Sequence, residues 1–261
     1  MIFRRNRKRS DEPETDAAPT GAGAETGDAE AGDAEAGDAV AGDAEAGDAD
    51  GATELDVEAL DAQDWRADGP FDISELAGED DLQGSAEAPR IDLGAMVVSG
   101  LPGAELRLQM SEETQQIVSA MLIHRDSALE LGAYAAPRSG GLWSELREEI
   151  TASATQAGGT ASLAEGPFGV ELRRLIPVTT PDGEQGYQPS RMWVAEGPRW
   201  LLRGIVYGQA ALEEGPDSGV EEMLTAFRSV VVRRGDEAMA PGDLLALTMP
   251  TNLVASDDQP A

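Results

Sequence analysis

The sequence predicts an α+β domain, an antiparallel β-sheet with helices packed on it, behind an acidic tail. Three observations carry this. Residues 1–88 hold 20 of the 31 net negative charges of a 261-residue chain and include a five-residue repeat. After Pro89, segments of alternating hydrophobicity are separated by turn residues. Two stretches instead carry an apolar stripe at helical spacing.

The repeat begins at Gly27 and runs GDAEA, GDAEA, GDAVA, GDAEA, GDADG. No unit contains a large apolar side chain, and glycine with unpaired carboxylates cannot offset the entropy of ordering. Residues 1–68 are therefore expected to be a disordered low-complexity tail. The spacing lacks the converging oxygens of a calcium loop. Leu55, Leu60, Trp65, Phe71, Ile73 and Leu76 are scattered apolar residues in this acidic background. They are suited either to a partner or to docking on the chain's own domain, the reading preferred for Phe71 and left open for Trp65.

The domain is expected over 69–250, with 251–261 a frayed, disordered end. Glu105–Met110 alternates charge and hydrophobe, as a half-buried strand does. Gln116–His124 and Ala128–Ala135 form a hairpin about Arg125-Asp126-Ser127, and the apolar character of both faces of the first run predicts a central strand. After Pro137-Arg-Ser-Gly-Gly141, a helix carries Leu142, Leu146, Ile150 and Ala154 on one face and stops near Gln156 before Gly158-Gly159. Its cap is placed at Ser139 or Gly140. A strand holding Val170, Leu172, Ile176 and Val178 turns at Thr180-Pro-Asp-Gly183 into one around Arg191–Glu196. Gly197-Pro198 then leads into a third over Arg199–Gly208. Ser218, three residues before Glu221, reads as the capping box of a second helix containing Val220, Met223, Leu224 and Phe227. The order is β-β-β-α-β-β-β-α, about six strands and two helices.

Composition removes several activities. The chain has no Cys and one His, so thiol catalysis, cysteine-ligated metals and two-imidazole sites are excluded. Such acidity argues against duplex nucleic acid as the main partner. No stretch reads as a signal peptide or membrane span, so a cytoplasmic protein is expected. His124 lacks a ligand or catalytic partner at useful spacing, and the only Lys, Lys8, is in the tail. No catalytic residue, metal site or cofactor is assigned.

Two features could bind a ligand. The loop Arg138-Ser-Gly-Gly-Leu-Trp143 places glycines and an arginine at a helix start, which suits an anion as well as it suits a plain turn. Arg174 and Arg203 each fall on the apolar face of a strand, where an arginine must be paired or line a pocket. The acids considered as partners are Glu171, Glu196 or a helix carboxylate, and Trp143, Trp193 or Trp200 could form an aromatic wall.

The segments GPFD (69–72), RIDLG (90–94), AAPRSGGLW (135–143), EGPFGVEL (165–172), GPRWLLRG (197–204) and VVVRRGDEAMAPGDLLAL (230–247) resemble the actinobacterial domain of unknown function 3710 family. The resemblance covers about residues 69–250. Arginine used almost without lysine also suits a GC-rich genome. The resemblance implies a cytoplasmic protein of no established activity, encoded near a dUTPase and an OB-fold protein. Its signature positions are Arg138, Gly140, Gly141, Trp143, Arg199, Trp200 and Arg203, with no chemical role attached.

Two functions follow as expectations. The first is a non-catalytic module that binds a protein partner. The alternative is an anion- or nucleotide-binding protein, or an enzyme built on such a site, linked to nucleotide or nucleic-acid metabolism.

Overall fold

The computed structural model describes residues 55–76, 78, 82, 84, 89–180, 182–212 and 218–250. The repeat tract and the expected C-terminal end, 251–261, lie outside the described residues. The chain divides into 1–51 and 52–261, and only the second unit is described.

In chain order the elements are α1 (Val57–Asp61), β1 (Phe71–Asp72), a 3₁₀ turn (Ile73–Glu75), β2 (Arg90–Asp92), β3 (Met96–Ser99), β4 (Glu105–Met110), β5 (Ile117–His124) and β6 (Ser127–Ala135). There follow α2 (Leu142–Gln156), β7 (Thr160–Gly166), β8 (Gly169–Thr179), β9 (Gln185–Gly197), β10 (Trp200–Gly208), α3 (Gln209–Leu212), α4 (Val220–Arg228) and β11 (Val231–Val232). The class is α+β, as expected, with more strands than the six anticipated. An antiparallel seven-stranded sheet runs β4-β5-β6-β10-β9-β8-β7, and a four-stranded sheet runs β1-β11-β3-β2.

The large sheet has two faces. The inner face carries Leu122, Leu129, Leu131, Ala133, Trp193, Trp200, Leu202 and Val206. Met96, Val98 and Val232 of the small sheet cover it, together with Met223, Ala226 and Phe227 of α4. The outer face carries Leu172, Met192, Val194, Leu201 and Ile205, and α2 lies on it with Leu142 and Trp143. The helix contacts β7, β8 and β9. A side chain at Gly204, the inner-face glycine of β10, would come within 2.6 Å of the Phe227 ring, so its absence lets α4 settle on the sheet. Phe227 stacks obliquely with Phe168 at 4.7 Å and edge-on with Trp193 at 6.0 Å.

Several sequence expectations shift. β7 and the four short strands went unread. The run at β5, expected at the centre, lies next to the terminal strand β4, and the centre belongs to β10. The outer-face residues Met121 and Ile123 of β5 are half-buried because α2 lies on the other half of the sheet. α2 spans the expected residues, but its cap is Gly141 at φ +84°, and α4 is capped by Gly219 rather than Ser218. The Ser218 hydroxyl accepts from Val220 N at 3.3 Å.

The boundary expected at residue 69 also moves. α1 and the chain up to Asp68, assigned to the tail, pack on the domain. Leu60 is buried, Trp65 donates from Nε1 to Leu60 O, and Asp61 pairs with the buried Arg147 through both carboxylate oxygens. Trp65 packs against the inner core, and that apolar surface offsets the cost of ordering an acidic segment.

Glu171, an inner-face residue of β8, is 1% exposed yet charged. Its Oε1 accepts from Arg173 Nε at 2.7 Å and Arg191 Nε at 3.0 Å. Its Oε2 accepts from Arg191 Nη2 at 2.9 Å and Trp193 Nε1 at 2.7 Å. Dehydrating the ion pair is costly, so the pair costs far more to break than it contributes net. Glu171→Gln removes the buried charge that Arg173, Arg191 and Trp193 share. We expect it to lower the unfolding free energy by about 3–5 kcal/mol, read as a lower denaturant midpoint.

Candidate functional site

The glycine loop after β6 has the backbone of an anion site, and the protein fills it itself. Gly140 and Gly141 both take positive φ, at +70° and +84°. The amides released at the start of α2 point to Glu196, near the end of β9. Gly141 N donates to Glu196 Oε2 at 2.7 Å, and Trp143 N donates to Oε1. A carboxylate at a helix N-terminus satisfies the unpaired N–H groups and opposes the helix dipole. Trp143 is buried beneath, donating from Nε1 to Val170 O. Arg138 is exposed on the loop.

The other signature segment, around the β9–β10 turn, meets this loop through backbone. Ala136 N donates to Arg199 O at 2.9 Å, and Arg234 Nε to the same oxygen at 3.1 Å. Arg199 turns the chain at φ +65°. From there the side chains part. Trp200 enters the inner core, whereas Arg203, three residues on, faces outward on the side that also holds Trp143. The seven signature residues thus form no single pocket.

Trp200 is fully buried and donates from Nε1 to Asp72 Oδ2 at 2.7 Å. Ser74 N donates to Asp72 Oδ1 at 2.9 Å, and Asp72 N donates to Glu75 Oε2, closing a capping box. Arg66 forks onto Glu75 and lies over the Trp200 ring at 5.2 Å. Burial pushes the Asp72 carboxyl up, but the hydrogen bonds from Ser74 and Trp200 and the Arg66 charge outweigh it and hold the group below its ordinary 3.8. A small cleft, open to solvent, separates Gln63–Arg66 from Gly141, Ser144 and Glu196. Its charged groups are engaged: Asp61 with Arg147, Asp64 with Arg66 N, and Glu196 with α2.

The two arginines singled out by strand parity share one face of the sheet, close enough that the charge of one acts on the other. Arg174 of β8 and Arg203 of β10 lie on the outer face, with Glu130 and Tyr134 of β6 and Tyr207 of β10. None of the acids considered from sequence is the partner. Glu171 is on the inner face and Glu196 caps α2, so among the described residues the carboxylate that pairs here is Glu130, 3.9 Å from Arg203 Nη2. Tyr207 donates its hydroxyl to Glu130 at 3.2 Å, and Arg203 lies over the Tyr134 ring at 5.0 Å. Burial and the Glu130 charge push the Tyr207 hydroxyl up to about 12, and burial draws Arg174 down. The Nε atoms of both arginines are sealed from solvent without an acceptor among the described residues. Parity carried the signal for the arginines and for Tyr207, which shares the Arg203 face of its strand; Glu130 and Tyr134, on another strand, had no comparable mark.

His124 closes β5 opposite Ser127, and no carboxylate bonds to it among the described residues. Among those residues no group of three or more His, Asp or Glu could hold a metal ion, and no helix is long and apolar enough to cross a membrane.

Two outcomes follow. Glu196→Ala strips the cap from α2 and should cost about 1–2 kcal/mol, measured by chemical denaturation. Because Asp72 is held low in the folded state, its stabilisation is complete above 3.8 and is lost as pH falls through the depressed value. The stability gap between the native protein and Asp72→Asn should therefore be constant near neutrality and narrow below pH 3.8, followed by tryptophan fluorescence.

A family model described as "Protein of unknown function (DUF3710)" matches residues 69–256. No curated protein matches the chain. Among solved structures, it is similar to the solution structure of cyanobacterial PsbP (CyanoP) from Synechocystis sp. PCC 6803, at 14% identity and a TM-score of 0.34, over 57% of this chain and 94% of that one. With well over half of its residues inside the family match, the chain belongs to the DUF3710 family, proteins of unknown function.

Proposed function

We propose that this protein is a non-catalytic binding module of the cytoplasm that receives a protein partner on the uncovered half of its outer sheet face. The observation that carries the reading is the position of α2. It lies on β7, β8 and β9, while the outer-face residues of β4 and β5 stay exposed or half-buried, apart from Ser119. Glu105 and Arg107 pair with each other there, and Met121 and Ile123 offer apolar area beside them. β4 ends the sheet, so its far side presents backbone groups that no strand of that sheet pairs, a template for strand addition.

Three carboxylates near the signature segments, Glu171, Glu196 and Asp72, are engaged in structural contacts, which supports the same reading. With a net charge of −31, a partner presenting a basic surface is favoured. Arg203 borders the proposed surface, and Arg138 and Arg199 belong to the loops at one end of the sheet. Arginine use almost without lysine fits an actinobacterial, GC-rich source.

A photo-crosslinking residue placed at Met121 or at Arg107 of the full-length protein should capture the same partner from cells of the source organism. One placed at Glu148, on the exposed side of α2, should not. Capture through Glu148 alone, or steady turnover of a substrate by the purified protein, would overturn the reading.

A further inference from the structure

We infer that the Arg174–Arg203 cluster on the outer sheet face is a receptor site for a small oxyanion, a phosphate or a carboxylate group. The inference stands whether or not a partner docks beside it. Among the described residues the cluster has two guanidinium groups and one carboxylate, which leaves one positive charge in excess inside a protein whose overall charge is −31.

Each guanidinium is dehydrated on its inner side. The two Nε–H groups have no acceptor among the described residues, so the protein does not repay the water they lose. Arg174 makes no hydrogen bond or ion pair with those residues, and Glu130 stands 3.9 Å from Arg203, beyond hydrogen-bond distance. The outer edges remain open, since the Arg203 side chain is 27% exposed.

Arginine does not lose its charge near neutrality, so the excess cannot be removed by titration. It can be balanced by an anion placed against the outward Nη groups. Two forks in one patch match the several oxygens of a phosphate or carboxylate. Glu130 is then an internal competitor. It draws Arg203 and the Tyr207 hydroxyl, and a bound oxyanion takes over part of that role.

The test is a thermal-shift titration of the full-length protein with inorganic phosphate and, in parallel, with succinate. Sodium chloride at matched ionic strength is the reference, because screening alone stabilises so acidic a chain. Phosphate, succinate or both should raise the melting temperature above that reference. The responding probe tells a phosphoryl ligand from a carboxylate ligand.

Arg174→Met should abolish the response and leave the unliganded protein folded, as Arg174 has no described partner to lose. Glu130→Gln should tighten binding roughly tenfold, since it removes a charge of the ligand's own sign. A response to neither probe beyond sodium chloride would overturn the site. So would an unchanged response in Arg174→Met, or weaker binding in Glu130→Gln.

Discussion

The dry carboxylate of Glu171 sets the frame on which the rest of the sheet depends. Its oxygens are held by the Nε groups of Arg173 and Arg191, by Arg191 Nη2 and by the Trp193 indole, so β8 and β9 can pair in one register only. A slip of one residue would carry every side chain to the opposite face and strand this charge cluster among the residues of α2. With Glu171, Arg191 and Trp193 fixed inside, Leu172 and Met192 must face α2, and Arg174 must face outward. The same clamp orients Trp193 against Phe227, which seats α4. A buried ion pair that adds little net stability thus decides which arginines are structural and which are left facing an open surface.

The segment ahead of the family match depends on that frame as well. Val57–Asp61 is too short a helix to hold itself together. It persists because Leu60 and Trp65 find apolar contacts, and because Asp61 neutralises the buried Arg147. Arg66 then ties the segment to the Asp72–Trp200 contact by forking onto Glu75. Acidic composition marks this stretch as tail, yet one of its carboxylates, Asp61, is the opposite charge that the buried Arg147 needs. Net charge counts acids without saying which of them have a partner.

What the sequence disclosed was whatever local pattern determines. Leu142–Gln156 could be bounded because its stripe, the glycines before it and the glycines after it are contiguous, and the meander could be followed through its turns. β7 was illegible because Thr160–Gly166 has one large apolar residue, Leu163, and an edge strand needs little more. The small sheet was illegible because Phe71 pairs with Val231 across the length of the domain, and two-residue strands have no period. The Glu196 cap belongs to the same class, a contact between residues 53 apart. The split of the signature was in fact readable. Trp200 and Arg203 differ by an odd number within one strand, so they had to point to opposite faces.

The arginine patch raises a question of economy in a chain with 50 acids. A second carboxylate near Arg174 and Arg203 would complete the pairing at no cost in composition. The positions facing them across the ladders are Ala161 and Ser190, on either side of Arg174, and Gly132 and Val194, on either side of Arg203. None carries charge. Any side chain at Gly132 would also press on the Tyr134 hydroxyl, 3.1 Å from where its Cβ would stand, and would disturb the ring under Arg203. Four neutral residues therefore preserve a positive charge uncompensated among the described residues on a half-covered sheet, in a domain that neutralises its deepest arginines with Glu171 and Asp61. Stability alone favours filling such a gap, since a desolvated guanidinium with a distant counter-ion is a net cost. A cost retained where the remedy is so abundant is what a binding surface for a negatively charged group requires.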